Sequence, residues 1–122
     1  FYQDDRGWSV RPITDDDLKK GVISDIHMVS MKPGAIRGNH YHVHKTENIL
    51  IIGSACRLLV LDNNTKEEEE KVIENSDKML FVIPPDVTHA IENIGNEVSY
   101  LFCFSYAKGG LESRDVINNK II

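Results

Sequence analysis

Apolar residues along this chain fall in short runs, many of them alternating with polar ones, and Gly, Pro, Asn and Asp recur between the runs. A period of two over four to nine residues is the signature of a half-buried strand. The pattern predicts strands over residues 8–13, 23–31, 39–44, 47–52, 57–61, 71–73, 79–83, 90–93 and 98–105. Lys32-Pro33-Gly34 stops the second of these. Asp62-Asn63-Asn64-Thr65 and Asn93-Ile94-Gly95-Asn96 carry turn chemistry. Residues 15–20, Asp-Asp-Asp-Leu-Lys-Lys, are a polar connection with room for one helical turn. Glu67 to Glu70 form an acidic run that suits a solvated edge strand or loop. From residue 107 the tail is polar until Ile121-Ile122. Many short strands with no long helical periodicity predict an all-β sandwich or barrel, and an antiparallel jelly roll fits best.

The chain has 122 residues, enough for one domain with a real core. One domain over residues 1–122 is expected, with a barrel core at about 22–106. The net charge of −5 argues against nucleic-acid and anionic-membrane partners, which want a basic face. A phosphorylated small molecule needs only a local cation and stays open. Cys56 and Cys103 each sit in an apolar stretch and read as buried, reduced thiols. No run has the apolar length of a membrane span, and no signal-peptide pattern is visible. The chain opens at Phe1 rather than Met, which leaves room for a trimmed leader, and a cytoplasmic location is the expectation.

The chemistry concentrates in His40, His42 and Glu47, joined some forty residues later by His89. On a strand, His40 and His42 point the same way. A turn at Lys45-Thr46 would bring Glu47 back beside them, and His89 would arrive from a distant strand after Pro84-Pro85-Asp86. Three imidazoles and a carboxylate suit a divalent transition metal such as Zn, Fe, Mn or Ni, with a position left for water or substrate. His44 reads as an exposed strand end, and His27, set among apolar residues, as a hydrogen-bonded structural histidine. Asn93 reads as a shaper of its strand end. Arg37 has the planar fork that grips a phosphate or carboxylate, and a surface ion pair is its other reading.

These residues resemble the two motifs of the cupin superfamily. The first is carried by Gly34, His40, His42 and Glu47, with Gly53 closing one residue early. The second is carried by Pro84, His89 and Asn93. Asp86 and Lys78 stand where that motif usually has glycine, and an Asp tolerates many of the same turn conformations. The stretch Arg37-Gly38-Asn39-His40-Tyr41-His42, with Lys45, Glu47 and Ile91 to Gly95, is similar to the cupin domain of capsular-polysaccharide assembly enzymes. Its Arg-Gly-x-His core also resembles nucleotide-sugar 3,5-epimerases and sugar 3,4-ketoisomerases, as does Asp5-Arg6-Gly7-Trp8. The resemblance implies a sugar or nucleotide-sugar substrate, Arg37 and Lys45 as substrate-binding residues, and a homodimer joined through an N-terminal strand.

Two mechanisms compete for one lone pair. In the sugar epimerases the resemblance makes His40 the base that takes a proton next to a keto group, with a tyrosine, here Tyr100 or Tyr106, as the acid. A metal-bound imidazole has no free nitrogen, so His40 is not ligand and base at once. With His40, His42, Glu47 and His89 all on a metal, the ion would polarise the carbonyl and the base would lie elsewhere. Epimerase or isomerase chemistry on a keto sugar is the leading expectation. An iron-dependent cupin dioxygenase and a non-catalytic sugar-binding cupin are the alternatives.

Overall fold

The computed structural model describes residues 2–74, 79–106 and 115–122; Lys78 and the start of the polar tail lie outside these. The N-terminus forms a hairpin, β1 (Tyr2–Asp4) and β2 (Gly7–Ser9), which pairs only with itself among the described strands. The strand expected over residues 8–13 is therefore shorter and earlier. Pro12 lacks the N–H that a continuing ladder would need. Helix α1 (Asp15–Lys20) is the predicted helical turn. Thr14 caps it by accepting from the Asp17 N–H, and Gly21 ends it in the left-handed conformation.

The remaining strands are β3 (Ile23–Met31), β4 (Ile36–His42), β5 (Thr46–Gly53), β6 (Cys56–Asp62), β7 (Glu68–Ile73), β8 (Met79–Ile83), β9 (Val87–Asn93), β10 (Ser99–Tyr106) and β11 (Val116–Asn118). One sheet runs β3-β10-β5-β8 and the other β11-β4-β9-β6-β7, with every pairing antiparallel. This is the jelly roll that the strand pattern predicts. The acidic run enters β7, an edge strand whose residues 68–72 are exposed. A solvated edge is where like charges cost least.

Residues of alternate parity face inward and fill the space between the sheets. Ile49 and Ile51 of β5, Leu101 and Cys103 of β10, and Leu58, Ile73, Ile83 and Ile91 form one buried cluster with Met31 and Cys56. Each large aliphatic side chain so buried contributes roughly 1.5–3 kcal/mol of transfer free energy. Both cysteines are buried and free, and burial pushes the Cys103 thiol up to about 12. On β5 and β9 the inward row passes from apolar to polar, through Ile51, Ile49 and Glu47 on one and Ile91 and His89 on the other. The barrel thus has an apolar middle and a polar end.

Candidate metal centre

His40 and His89 are direct cross-strand partners on β4 and β9, and their rings meet edge to face with centroids 4.7 Å apart. That register depends on two neighbours in sequence. Asn39, at φ 55°, is an extra residue in β4, so the ladder jumps from Gly38–Ala90 to His40–His89. Such a bulge re-aims the side chains after it. Gly38, at φ 92°, lies so close to β9 that an added Cβ would sit 2.6 Å from the His89 carbonyl oxygen. Only glycine fits there. The Asn39 side chain accepts from the Ile121 and Ile122 N–H groups, which ties the C-terminus across the bulge.

Glu47 reaches the same point from β5 in the facing sheet. Donor atoms of His40, Glu47 and His89 all lie within 4.8 Å of one another. An ion about 2.0–2.2 Å from each ligand needs separations of roughly 3–4 Å, so small side-chain movements close the set. Burial and the neighbouring His89 hold the His40 pKa below its ordinary value, which favours the neutral, ligating ring. Burial alone would raise the Glu47 pKa. The His42 hydrogen bond and His89 Nε2, 3.7 Å from Oε1, outweigh it and hold the carboxyl far below its usual range. His89 Nδ1 faces the Val87 carbonyl at 3.4 Å, leaving Nε2 toward Glu47.

His42 stands beside this group with both ring nitrogens engaged. Nε2 donates to Glu47 Oε2 at 2.6 Å and Nδ1 to Asp115 Oδ1 at 2.9 Å. Burial would lower its pKa, but the two carboxylates raise it, so the ring favours the charged form. The proton on Nε2 occupies the lone pair that a metal would take. Asp115 also accepts from the His44 and Lys45 N–H groups, so it organises the whole β4–β5 turn. It lies 73 residues from His42, and no spacing or motif marks it.

Other expected site residues fall in varied places. Arg37 is exposed at the cavity rim and donates through Nη2 to the Ser30 carbonyl at 3.3 Å. Lys45 is 3% exposed and is absent from the cavity wall. Tyr100 and Tyr106 also lie off the cavity wall. Leu101 and Cys103 line the cavity, so their neighbours of opposite parity face out of the barrel. Tyr100 is 46% exposed, and the Tyr106 hydroxyl donates to Asp17 of α1. Burial and that carboxylate push its pKa up. His27, expected to be structural, lines the cavity. His44 is exposed, Asp86 sits at φ 63°, and Asn93 donates to the Met31 and Glu97 carbonyls, as the sequence suggests.

The triad lines a cavity of about 410 Å³ together with Arg37, His27 and Cys103 and the apolar Ile49, Ile91 and Leu101. The barrel has the cupin fold, with a His/Glu/His group at its polar end. Within that class, the chain belongs to the family described as polysaccharide biosynthesis C-terminal domain, whose model matches residues 2–109. No curated protein matches the chain in sequence. Among solved structures it is similar to the capsular polysaccharide assembling protein CapF from Staphylococcus aureus, with a TM-score of 0.69 and 23% identity. That match covers 79% of this chain and 27% of CapF, so the chain spans about a quarter of its relative. It is also similar to dTDP-4-dehydrorhamnose 3,5-epimerase from Sulfolobus tokodaii, with a TM-score of 0.66, 16% identity, and 84% and 64% of the two chains covered. A recombinant oxalate oxidase matches with a TM-score of 0.62 and 18% identity, over 76% and 44%. At these identities the three structures bear on the fold. No helix among the described residues is long and apolar enough to cross a membrane.

Proposed function

We propose that this protein is a metal-dependent cupin that isomerises or epimerises a keto sugar carried on a nucleotide. The observation that carries the reading is the His40/Glu47/His89 group under a cavity of sugar-accommodating size, with the Arg37 guanidinium at its rim. The family's link to polysaccharide biosynthesis and the fold shared with a nucleotide-sugar epimerase support the substrate class. His40, Glu47 and His89 would hold a divalent ion such as Zn, Fe, Mn or Ni, and His42 would join them on giving up its Nε2 proton. The donor set fits: neutral imidazoles and a buried carboxylate are what such an ion requires. When bound, the ion supplies Lewis-acid polarisation of a carbonyl.

The protein's own groups do the rest. Arg37 has five N–H donors, of which one goes to Ser30, and the others suit a diphosphate. The apolar side chains of Ile49, Ile91 and Leu101 in the cavity wall would pack against the sugar's deoxy face and limit water. Asp115 fixes the His42 ring, and through it Glu47. We place the whole chain in one domain, working as a cytoplasmic homodimer. The test is deuterium uptake from D2O at the carbons beside the carbonyl of dTDP-4-keto-6-deoxyglucose. Uptake that disappears on chelation is expected. No uptake by metal-loaded protein would remove the isomerase reading.

A further inference from the structure

Proton transfer at a carbon needs a base, and the metal centre uses up the obvious ones. With an ion bound, His40 and His89 would spend their lone pairs as ligands and Glu47 would be the third ligand. Tyr100 and Tyr106 lie outside the barrel. The other polar groups among the described residues lining the cavity are Arg37, Cys103 and His27. A guanidinium does not accept a proton. The Cys103 thiol stays protonated in its buried site. That leaves His27.

Three features suit His27 to the task. First, it faces the right way. Its cross-strand partner on β10 is Cys103, whose side chain lines the same cavity. Second, its ring is half exposed, with a side-chain accessibility of 46%, so a substrate can reach it. A packing histidine would be covered. Third, Nδ1 lies 2.6 Å from Asp25 Oδ2, two residues away on the same face of β3. An ionised carboxylate only accepts, so a singly protonated ring places its proton on Nδ1 and its lone pair on Nε2. Asp25 also stands ready to offset the charge when Nε2 is protonated.

The placement also leaves room for a substrate. Strand β3 is separated from β5, which carries Glu47, by β10 alone. Two inter-strand spacings amount to about 10 Å of backbone separation, wide enough for a hexose ring between triad and imidazole. Arg37 bonds to Ser30 on the same strand, which puts the phosphate-binding rim beside His27.

We propose that His27 is the proton-transfer residue of this site, with Asp25 as its positioning residue. The inference rests on the isomerase reading above. His27 Nε2 removes the proton from the carbon next to the carbonyl. The C–H electron pair becomes the enolate double bond, and the carbonyl π pair moves to oxygen. Water delivers a proton to the opposite face of that carbon and inverts the centre, and the hydroxide left behind takes the proton from the imidazolium held by Asp25; return by the imidazolium itself to the same face gives exchange without inversion. No oxidant or reductant is needed.

The experiment uses the zinc-loaded full chain and dTDP-4-keto-6-deoxyglucose in D2O. Relative to wild type, His27→Gln should slow deuterium uptake by roughly 100-fold or more, the usual contribution of a placed acid–base group, with bound zinc unchanged. Asp25→Asn should slow it less, and Asp25→Glu should restore part of it. Long-range proton–nitrogen NMR of the zinc-loaded wild type supplies a readout that a structural role would not share. It should show His27 with Nδ1 protonated and Nε2 bare, and Asp25→Asn should change that tautomer balance. Uptake by His27→Gln at the wild-type rate, or a protonated or zinc-bound Nε2 on neutral His27, would overturn the proposal while the isomerase reading stood. A wild type with no uptake would overturn both.

Discussion

His42 and His27 each share a hydrogen bond with an aspartate, yet the two pairs are built for opposite purposes. His42 is clamped between Glu47 and Asp115, with a side-chain accessibility of 10%. Its ring has no open nitrogen, and every partner is itself tied to backbone or to another site residue. His27 has one aspartate, an accessibility of 46%, and a place in the cavity wall. A histidine gripped on both sides is held in place as structure, and one gripped on a single side is left with a usable lone pair. Burial and the number of carboxylates, rather than residue type, divide the labour.

The largest effects are expected at the triad itself. Glu47→Ala or His89→Ala should lower metal affinity by well over ~100-fold, since loss of even an outer partner typically costs about 10–100-fold. Calorimetric titration with Zn(II) checks this. Both variants should leave the His27 tautomer unchanged by NMR. Next comes Gly38→Ala, which places a Cβ against the His89 carbonyl at a positive φ. A loss of at least ~2 kcal/mol in urea unfolding is expected, together with weaker metal binding, because the His40–His89 register moves.

Asp115→Ala removes the acceptor for three hydrogen bonds and should cost about 2 kcal/mol. Asp25→Ala, by contrast, should be nearly neutral in stability, because its partner is exposed. That pair of unfolding curves measures how structural each histidine is.

Much of the clamp was legible in the sequence and little of the dyad was. The spacing of His40, His42, Glu47 and His89 announced a convergent site, because strand alternation and one turn suffice to bring the first three together. Asp115 was invisible, since a contact over 73 residues leaves no local pattern. For the same reason β11, a three-residue strand held by its pairing with β4, looks like polar tail in the sequence. The facing of β3 and β10 was ambiguous because both parities carry apolar residues. Ile26 and Met28 are exposed while His27 lines the cavity, and Tyr100 faces out while Cys103 faces in. A strand with two mixed faces does not declare which is inside until its neighbours are known.

The smallest effect expected is one of pH on the metal-free protein. The raised pKa of His42 means that its charged pairs stabilise the fold fully below the ordinary value of 6.5 and are lost as pH climbs through the raised value. The depressed pKa of Glu47 works the other way. Its contribution is complete above 4.5 and is lost only as pH falls through the lowered value. The Tm advantage of wild type over His42→Gln should therefore be greatest between about pH 4.5 and 6.5 and shrink above it. Thermal scans in chelator across that range check the sign.

The most direct measurement is elemental analysis of purified full chain, with wild type, His89→Ala and His27→Gln side by side. One divalent transition-metal ion per chain in wild type and His27→Gln, and none in His89→Ala, would place the metal at the triad and leave His27 outside it. A wild type that takes up none of Zn, Fe, Mn or Ni, or a His27→Gln that loses its ion, would contradict the division between the two histidines.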